Sequence, residues 1–211
     1  MTRKQVFSIN DPEYSVCKLL PQQVEALQRL FEQCADFTLL VEGEEVNPNA
    51  AQEIFRSLPA GRSLRDKFLY GFLDRNGVIV GVLEGIQHYP DDSTWWIGLL
   101  LLAPEARGNG LGRKIIEAFS EYVYANQGAA IMLGVVEQNR AAYRFWQNLG
   151  FELVRQTEPR TFGRKTQKVY IMQRDLPQES SGAKSSIASQ VNILHYRLVC
   201  AIVDNNSAGR W

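Results

Sequence analysis

Three glycines at alternating positions form the stretch of this sequence whose spacing most clearly suggests chemistry. Gly108, Gly110 and Gly112 lie between an apolar run and an amphipathic segment. Glycine lets the backbone approach a ligand closely and adopt dihedral angles that other residues avoid. If a helix follows, its unpaired N–H groups and the positive end of its dipole favour a phosphate. The spacing therefore predicts a backbone cradle for a bound anion.

Two arginines bracket the glycines. Arg107 precedes the first of them and Arg113 follows the last. A guanidinium group can form paired, charge-assisted hydrogen bonds to phosphate oxygens. With the amides between them, these side chains would suit a diphosphate. The predicted anion loop consists of Arg107, Gly108, Asn109, Gly110, Leu111, Gly112 and Arg113.

Two other phosphate-binding loops are excluded by spacing. A Rossmann loop requires GxGxxG and an acidic residue about 20 positions later, whereas this chain has GxGxG followed by apolar residues at 131–133. A P-loop requires Ser or Thr after Gly-Lys, and here Gly112 is followed by Arg113, Lys114 and Ile115. A glycine turn without a ligand stays open as an interpretation, because short glycine motifs often match by chance.

A strand before the loop and a helix after it would hold the loop in place. Residues 94–102 are nearly all apolar, as expected of a strand that is buried on both faces. Apolar residues recur at helical spacing over 111–126, which predicts an amphipathic helix. The loop would therefore join a buried strand to the N-terminus of a helix.

The rest of the chain supplies further strands and helices around this unit. The predicted strands are 15–19, 68–74, 78–87, 94–102, 129–136, 151–156 and 169–175. The predicted helices are 21–34, 50–58, 111–126 and 139–149. We expect the last two strands to pair with each other. The order predicts one α/β domain with a mixed, mostly antiparallel sheet of about six or seven strands, flanked by about four helices.

The composition indicates which kinds of partner and which cellular compartment to expect. Lys plus Arg and Asp plus Glu both number 23, so the net charge gives no reason to expect a nucleic acid or a membrane as partner. Three scattered cysteines without a CxxC pair predict neither a tetrahedral metal site nor a disulfide framework. The polar N-terminus and the short apolar runs favour a cytoplasmic protein. Residues 177–211 are expected to be a linker or tail, since 178–190 are rich in Ser, Ala and Gly.

Two segments resemble the GNAT superfamily of N-acetyltransferases. Motif A of that family reads Arg/Gln-x-x-Gly-x-Gly/Ala, and Arg107, Gly110 and Gly112 satisfy it. Motif B has an Asn, an Ala three residues later, an aromatic residue and then Gly-Phe, a pattern present in residues 139–151. The resemblance extends over about residues 16–176. It implies a GNAT-like domain at 1–176 that uses acetyl-CoA as co-substrate.

The resemblance also implies which residues would bind the cofactor. In this family the strand before the loop splays from its neighbour, and its backbone binds the pantetheine arm. The loop amides hold the pyrophosphate, the motif B Asn contacts the pantetheine, and aromatic residues flank it. Capping of a helix explains the Asn equally well, and core packing explains the aromatic residues. The implied contacts outside the loop are Leu100, Leu101, Leu102, Asn139, Phe145 and Trp146.

The catalytic groups are less clearly indicated. Direct transfer needs a neutral amine, whose proton a carboxylate would accept through water. Glu84 is the first candidate base, because a carboxylate in an apolar strand needs an explanation, although an ion pair would explain it too. Glu137 and the turn residues Asp91 and Asp92 are weaker candidates. Many family members have a proton-donating Tyr where this chain has Trp146, which leaves Tyr143 as the substitute acid.

The acceptor would be recognised by residues 22–66 and by the connection between the last two strands, as the resemblance implies. The reaction predicted is acetyl transfer from acetyl-CoA to a primary amine of a small molecule. A non-catalytic acetyl-CoA-binding module, and acetylation of a protein N-terminus or lysine, are the alternatives. A homodimer is left open.

Overall fold

The computed structural model describes residues 6–177. Its strands are β1 Ser15–Lys18, β2 Lys67–Leu73, β3 Ile79–Ile86, β4 Thr94–Leu102, β5 Ala130–Val136, β6 Glu152–Gln156, β7 Arg160–Phe162, β8 Lys165–Gln167 and β9 Val169–Asp175. Its helices are α1 Val24–Gln33, α2 Ala35–Val41, α3 Ala50–Ile54, α4 Leu111–Ala125 and α5 Arg140–Asn148. The predicted tail, from residue 178 onward, lies outside the described residues, and the domain boundary at 176 stays a prediction.

Seven of the strands form one sheet, in the order β1-β2-β3-β4-β5-β9-β6. Only β4 and β5 are parallel neighbours, because α4 connects them as a crossover, and all other neighbours are antiparallel. This confirms the predicted mixed α/β sheet and the pairing of the last two predicted strands. β7 and β8 form a separate hairpin inserted before β9.

The hydrophobic core lies on both faces of the sheet. Successive residues of β4 point to opposite sides, so Trp95 belongs to one cluster of buried residues and Trp96 to the other. Trp95 packs edge-on against Phe119 of α4, with ring centroids 5.8 Å apart. Val41 of α2 covers the opposite face in the cluster of Trp96. Every residue of β4 is buried, as predicted for a strand covered on both sides.

Helix α2 and the β7–β8 hairpin were not predicted, and α3 is shorter than predicted. α2 follows α1 after a break at Cys34, whose φ and ψ of −100° and 28° interrupt the helix. The β7–β8 hairpin turns at Gly163, which has a φ of 55°. It is tied to α2 because Gln167 Nε2 donates to the Val41 carbonyl at 2.7 Å. α3 ends at Ile54 rather than at 58.

Among residues 6–177, no helix combines the length and the apolar character that crossing a membrane would require.

Candidate active site

β4 and β5 start as neighbours and then separate. Their ladder runs from Thr94 paired with Ala130 to Ile97 paired with Leu133, and it does not continue beyond that pair. A bulge lies at the same point on the other side of β4, where Gly98 is the extra residue opposite β3. The rest of β4 therefore has a partner only in β3. This is the splay that the resemblance implies, and it opens along Leu100 and Leu101.

The loop after β4 presents backbone amides to open space. Gly108 and Gly110 have φ values of 75° and 83°, and a Cβ added at either would meet no atom of residues 6–177 within 4 Å apart from its neighbours in the chain. The amides of Gly112 and Arg113 lie in the first turn of α4, where no intrahelical acceptor exists. The Leu111 amide differs, because Asn109 Oδ1 accepts its hydrogen bond at 3.0 Å. The loop is thus a concave set of donors at the positive end of a helix 15 residues long.

Arg107 does not extend toward this cradle, contrary to the prediction that its guanidinium would bind phosphate. Nη1 and Nη2 donate to the two carboxylate oxygens of Asp36 on α2, at 2.6 and 3.2 Å. Nε donates to the Leu102 carbonyl at 2.8 Å. Burial opposes the charge, but the Asp36 carboxylate outweighs it and raises the pKa of Arg107. The side chain therefore joins the loop to α2 and to the end of β4.

The carbonyl of the last residue of β4 accepts two side-chain hydrogen bonds. Leu102 O accepts the hydrogen bond from Arg107 and also one from the thiol of Cys34, with Sγ at 3.3 Å. Burial raises the pKa of Cys34 to about 11, so this thiol stays protonated near neutral pH. The Leu102 carbonyl therefore already has two hydrogen-bond donors, although the resemblance implies that Leu102 contacts the cofactor.

Arg113 is half exposed at the N-terminus of α4. Its guanidinium donates to Glu117 Oε1 and to the Asn148 carbonyl, both at 3.3 Å. A pair between exposed residues four apart on a helix is weak. The Arg113 side chain is therefore the one of the two arginines that a phosphate could recruit at little cost.

Asn139 uses one half of its side-chain amide and leaves the other half without a partner. Oδ1 accepts the Ala142 amide at 3.0 Å and so caps α5, as predicted. Nδ2 is buried and has no hydrogen-bond partner among the described residues. A buried donor without an acceptor costs about 1–3 kcal/mol, so this atom points to a ligand that supplies a carbonyl.

The aromatic residues of motif B differ in exposure. Trp146 is fully buried, and its ring meets Phe151 edge-on with centroids 5.0 Å apart. Phe145 is half-buried and also packs edge-on against Trp146. Core packing therefore accounts for Trp146, while Phe145 retains exposed surface for a ligand.

Tyr143 and Glu84 are not brought together. The Tyr143 ring lies against Tyr170 of β9, with centroids 5.1 Å apart. β9 is on the far side of β5 from β4, so Tyr143 sits one strand away from the splay.

Glu84 is buried in an ion pair with Lys67. Both side chains are at most 5% exposed, and Lys67 Nζ donates to the carboxylate and also to the Ser57 carbonyl at 2.9 Å. Glu84 lines a cavity beside the Gly98 bulge. Sequence reasoning missed Lys67, although a lysine at the start of an aromatic strand was a signal that it needs a buried partner.

The weaker candidate bases have other roles. Glu137 Oε1 accepts the Lys168 amide at 3.0 Å, and Asp91 Oδ1 accepts the Ser93 amide at 2.9 Å in the β3–β4 turn. Neither residue lines the cavity that contains Glu84.

This cavity lies between the helices α1–α3, strands β3 and β4, and the hairpin. Its volume is about 60 Å³. Most of its lining comes from the segment 22–66 and Phe162 from the connection between the last two predicted strands, whereas four residues come from β3 and β4. The lining residues are Phe31, Phe37, Thr38, Val41, Glu42, Val46, Asn47, Ala50, Ile54, Ser57, Glu84, Gly98, Leu99, Leu101 and Phe162.

Comparison with solved structures identifies the fold. An acetyltransferase from Thermus thermophilus matches with a TM-score of 0.62 and 21% identity, over 78% of this chain and 97% of that one. Spermidine N-acetyltransferase from Vibrio cholerae, solved in complex with CoA and spermine, matches with a TM-score of 0.61 and 17% identity, over 78% of this chain and 96% of that one.

Comparison of sequences identifies the family. N-acetylaspartate synthetase from Danio rerio is 25% identical over 122 residues, which are 58% of this chain. The chain spans 38% of the length of that relative. The profile of the Acetyltransferase (GNAT) family matches residues 24–151, more than half of the chain. The chain therefore belongs to the acetyltransferase (GNAT) family.

Proposed function

We propose that this chain transfers the acetyl group of acetyl-CoA directly to the primary amine of a small molecule. The observation that carries the proposal is the position of Gly98. This residue forms the bulge where β4 and β5 separate, and it also lines the cavity that contains Glu84. A donor site along the splay and an acceptor site in the cavity would therefore meet at one point.

The residues around the splay fit acetyl-CoA. The open space at Gly108 and Gly110, with the Gly112 amide in the first turn of α4, suits the pyrophosphate, and the unpartnered Asn139 Nδ2 suits a carbonyl of the pantetheine arm. The unpaired edge of β4 supplies further backbone groups. Phe145 would contact the arm through its exposed surface. Acetyl-CoA supplies an acetyl group activated as a thioester.

Glu84 would serve as the base. The amine nitrogen forms the new bond to the acetyl carbon, the carbon–sulfur bond breaks with its electron pair on sulfur, and the proton lost by nitrogen passes through water to Glu84. A protein acid is not required for thiol release, because a thiol has a pKa of about 8.5 and its thiolate is a competent leaving group. Tyr143 is therefore left without a role in the proposed step.

A small acceptor is favoured over a protein one by the enclosure of the cavity. Three helices and the hairpin surround it, and its volume of about 60 Å³ suits a compact group. The names of two similar proteins, N-acetylaspartate synthetase and spermidine N-acetyltransferase, also refer to small molecules.

The proposal is tested by measuring CoA release from acetyl-CoA across a panel of small amines and short peptides, with mass spectrometry of the products. We expect release that depends on a small amine, together with an N-acetylated product. Acetyl-CoA binding without amine-dependent release would instead indicate a binding module. Release with peptides alone would shift the acceptor to a protein terminus or lysine.

A further inference from the structure

The cavity beside Glu84 has a lining that selects among amines. Most of its surface comes from aromatic and aliphatic side chains, and the polar ones cluster near Glu84 and the rim. We propose, on the basis of the proposed function, that the acceptor is a primary amine with a single charge on a compact hydrophobic body and without a carboxylate. The apolar residues that would hold that body are Phe31, Phe37, Val41, Ile54, Leu99 and Phe162.

The charged residues of the lining are both acidic. Glu42 and Glu84 line the cavity, and no Lys, Arg or His does so among residues 6–177. Lys67, the base nearest to Glu84, is 5% exposed and is occupied by Glu84 and by the Ser57 carbonyl. An acceptor carboxylate would therefore lose its hydration next to Glu42 and the already paired Glu84 without gaining a cation of its own. Such an arrangement rejects a ligand by repulsion as well as by desolvation.

The same lining disfavours an acceptor with several ammonium groups. Glu84 already has Lys67 as its partner, so Glu42 at the half-buried rim is the remaining carboxylate for a second positive charge. The aromatic and aliphatic side chains of the lining would strip water from an ammonium group and offer it no hydrogen bond, and the polar lining residues besides the two acids are Thr38, Asn47 and Ser57. A body of hydrocarbon, by contrast, is favoured there because its apolar surface leaves water.

The distribution of groups also orients the acceptor. Glu84 and Gly98 lie where the cavity meets the splay, so the nitrogen would face them. The hydrophobic body would then extend toward α1, α2 and Phe162 of the hairpin. This orientation places the reacting nitrogen next to the proposed base and keeps the carbon skeleton away from it.

The test compares four acceptors, two of which, 2-phenylethylamine and L-phenylalanine, differ only in a carboxylate. With the full-length chain, kcat/KM from CoA release is measured for 2-phenylethylamine, L-phenylalanine, spermidine and L-aspartate. We expect 2-phenylethylamine to exceed the other three by about 100-fold or more, because a charge that loses its water without gaining a partner is strongly disfavoured. Equal or faster turnover of phenylalanine, aspartate or spermidine would overturn the inference while leaving acetyl transfer intact. If acetyl-CoA binds but no amine reacts, the proposed function itself fails.

A charge change in the lining provides the second arm. Glu42→Lys should reduce the preference for 2-phenylethylamine over phenylalanine by about tenfold, because it adds the missing cation. Glu44→Lys makes the same charge change two residues away, where Glu44 pairs with Arg164 at 3.6 Å and does not line the cavity. The preference should be unchanged in that control. An equal effect of both variants, or no effect of Glu42→Lys, would contradict the role given to the lining.

Discussion

Glu84 of β3 and Lys67 of β2 form an ion pair at the wall of the cavity that Glu84 lines, with side chains 3% and 5% exposed. Lys67 also donates to the Ser57 carbonyl, so its ammonium group connects the sheet to the segment after α3. Removing one partner of such a pair leaves an uncompensated buried charge. The pair therefore holds the proposed base in position and contributes to the stability of the wall behind the cavity.

Replacement of Glu84 should separate catalysis from donor binding. In Glu84→Gln we expect kcat to fall roughly 10²–10⁴-fold, because the group that accepts the proton is lost. Acetyl-CoA affinity should not change, since the donor contacts lie on the loop and along β4. The free energy of unfolding should also fall, by roughly 3–5 kcal/mol, because Lys67 loses its partner. Steady-state kinetics, calorimetry and urea unfolding measure the three quantities.

Two further variants control for structural damage in Glu84→Gln. The double variant Glu84→Gln with Lys67→Met should recover stability but not activity, since no buried charge is left unpaired. Glu137→Gln should retain kcat, because Glu137 accepts the Lys168 amide and does not line the cavity. Wild-type kcat in Glu84→Gln would remove this residue from consideration as the base.

Variants of Asn139 can separate an effect on acetyl-CoA affinity from an effect on stability. Ser at this position keeps an oxygen that can cap α5 but lacks the amide, whereas Ala lacks both. We expect acetyl-CoA affinity to fall about tenfold in both Asn139→Ser and Asn139→Ala, because Nδ2 is the group in question. Only Asn139→Ala should lose a further stability of about 1 kcal/mol from the cap. Wild-type affinity in both variants would show that Nδ2 does not contact the cofactor.

The loop glycines can be compared with a glycine of the same conformation elsewhere. Gly110 has a φ of 83° and Gly77, in the β2–β3 turn, has a φ of 77°; within the described part of the chain, a Cβ at either would meet only its sequence neighbours within 4 Å. Each change to Ala should therefore cost about 1–2 kcal/mol of stability through backbone strain. Calorimetry should show an affinity loss of about 10–100-fold for acetyl-CoA in Gly110→Ala only, because displaced amides lose charge-assisted hydrogen bonds. Equal affinities in the two variants would contradict the cradle.

Replacement of Arg107 should mainly lower stability, whereas replacement of Arg113 should mainly lower the affinity for acetyl-CoA. Arg107→Ala removes the paired hydrogen bonds to Asp36 and the bond to Leu102 O, so the free energy of unfolding should fall by about 2 kcal/mol or more. Arg113→Ala removes an exposed ion pair with Glu117 and one long hydrogen bond to the Asn148 carbonyl, so it should cost less than about 1 kcal/mol. Acetyl-CoA affinity should fall several-fold in Arg113→Ala. Stability losses in the reverse order would show that Arg107 is not the structural residue.

The parts of the fold that sequence could predict are those with a regular hydrophobic period. β4 and α4, on either side of the glycines, were predicted within one residue of their bounds. α2 was missed because its break from α1 at Cys34 depends on tertiary packing of Val41 rather than on a Pro or Gly. The β7–β8 hairpin was missed because its strands are only three residues long and carry charges.

The candidate site was predictable where it is local in sequence. The glycine loop and the cap formed by Asn139 depend on residues within a few positions of each other. Arg107 was assigned to phosphate because it borders the glycines. The sequence did not reveal its partner, Asp36, since that residue lies 71 positions earlier in the chain. Lys67 was missed for the same reason, since its pairing with Glu84 depends on the register of β2 against β3. Contacts across the fold leave no short-range pattern.

Hydrogen–deuterium exchange of the full chain, with and without acetyl-CoA, tests the central claim most directly. Because amides that gain a phosphate or pantetheine partner exchange more slowly, we predict protection in peptides that cover 98–102 and 108–113. The hairpin of Arg160–Phe162 and Lys165–Gln167, whose Phe162 lines the proposed acceptor cavity, should exchange at its original rate. Absence of binding, or protection confined to the hairpin with none at 108–113, would contradict the assignment of the acetyl-CoA site.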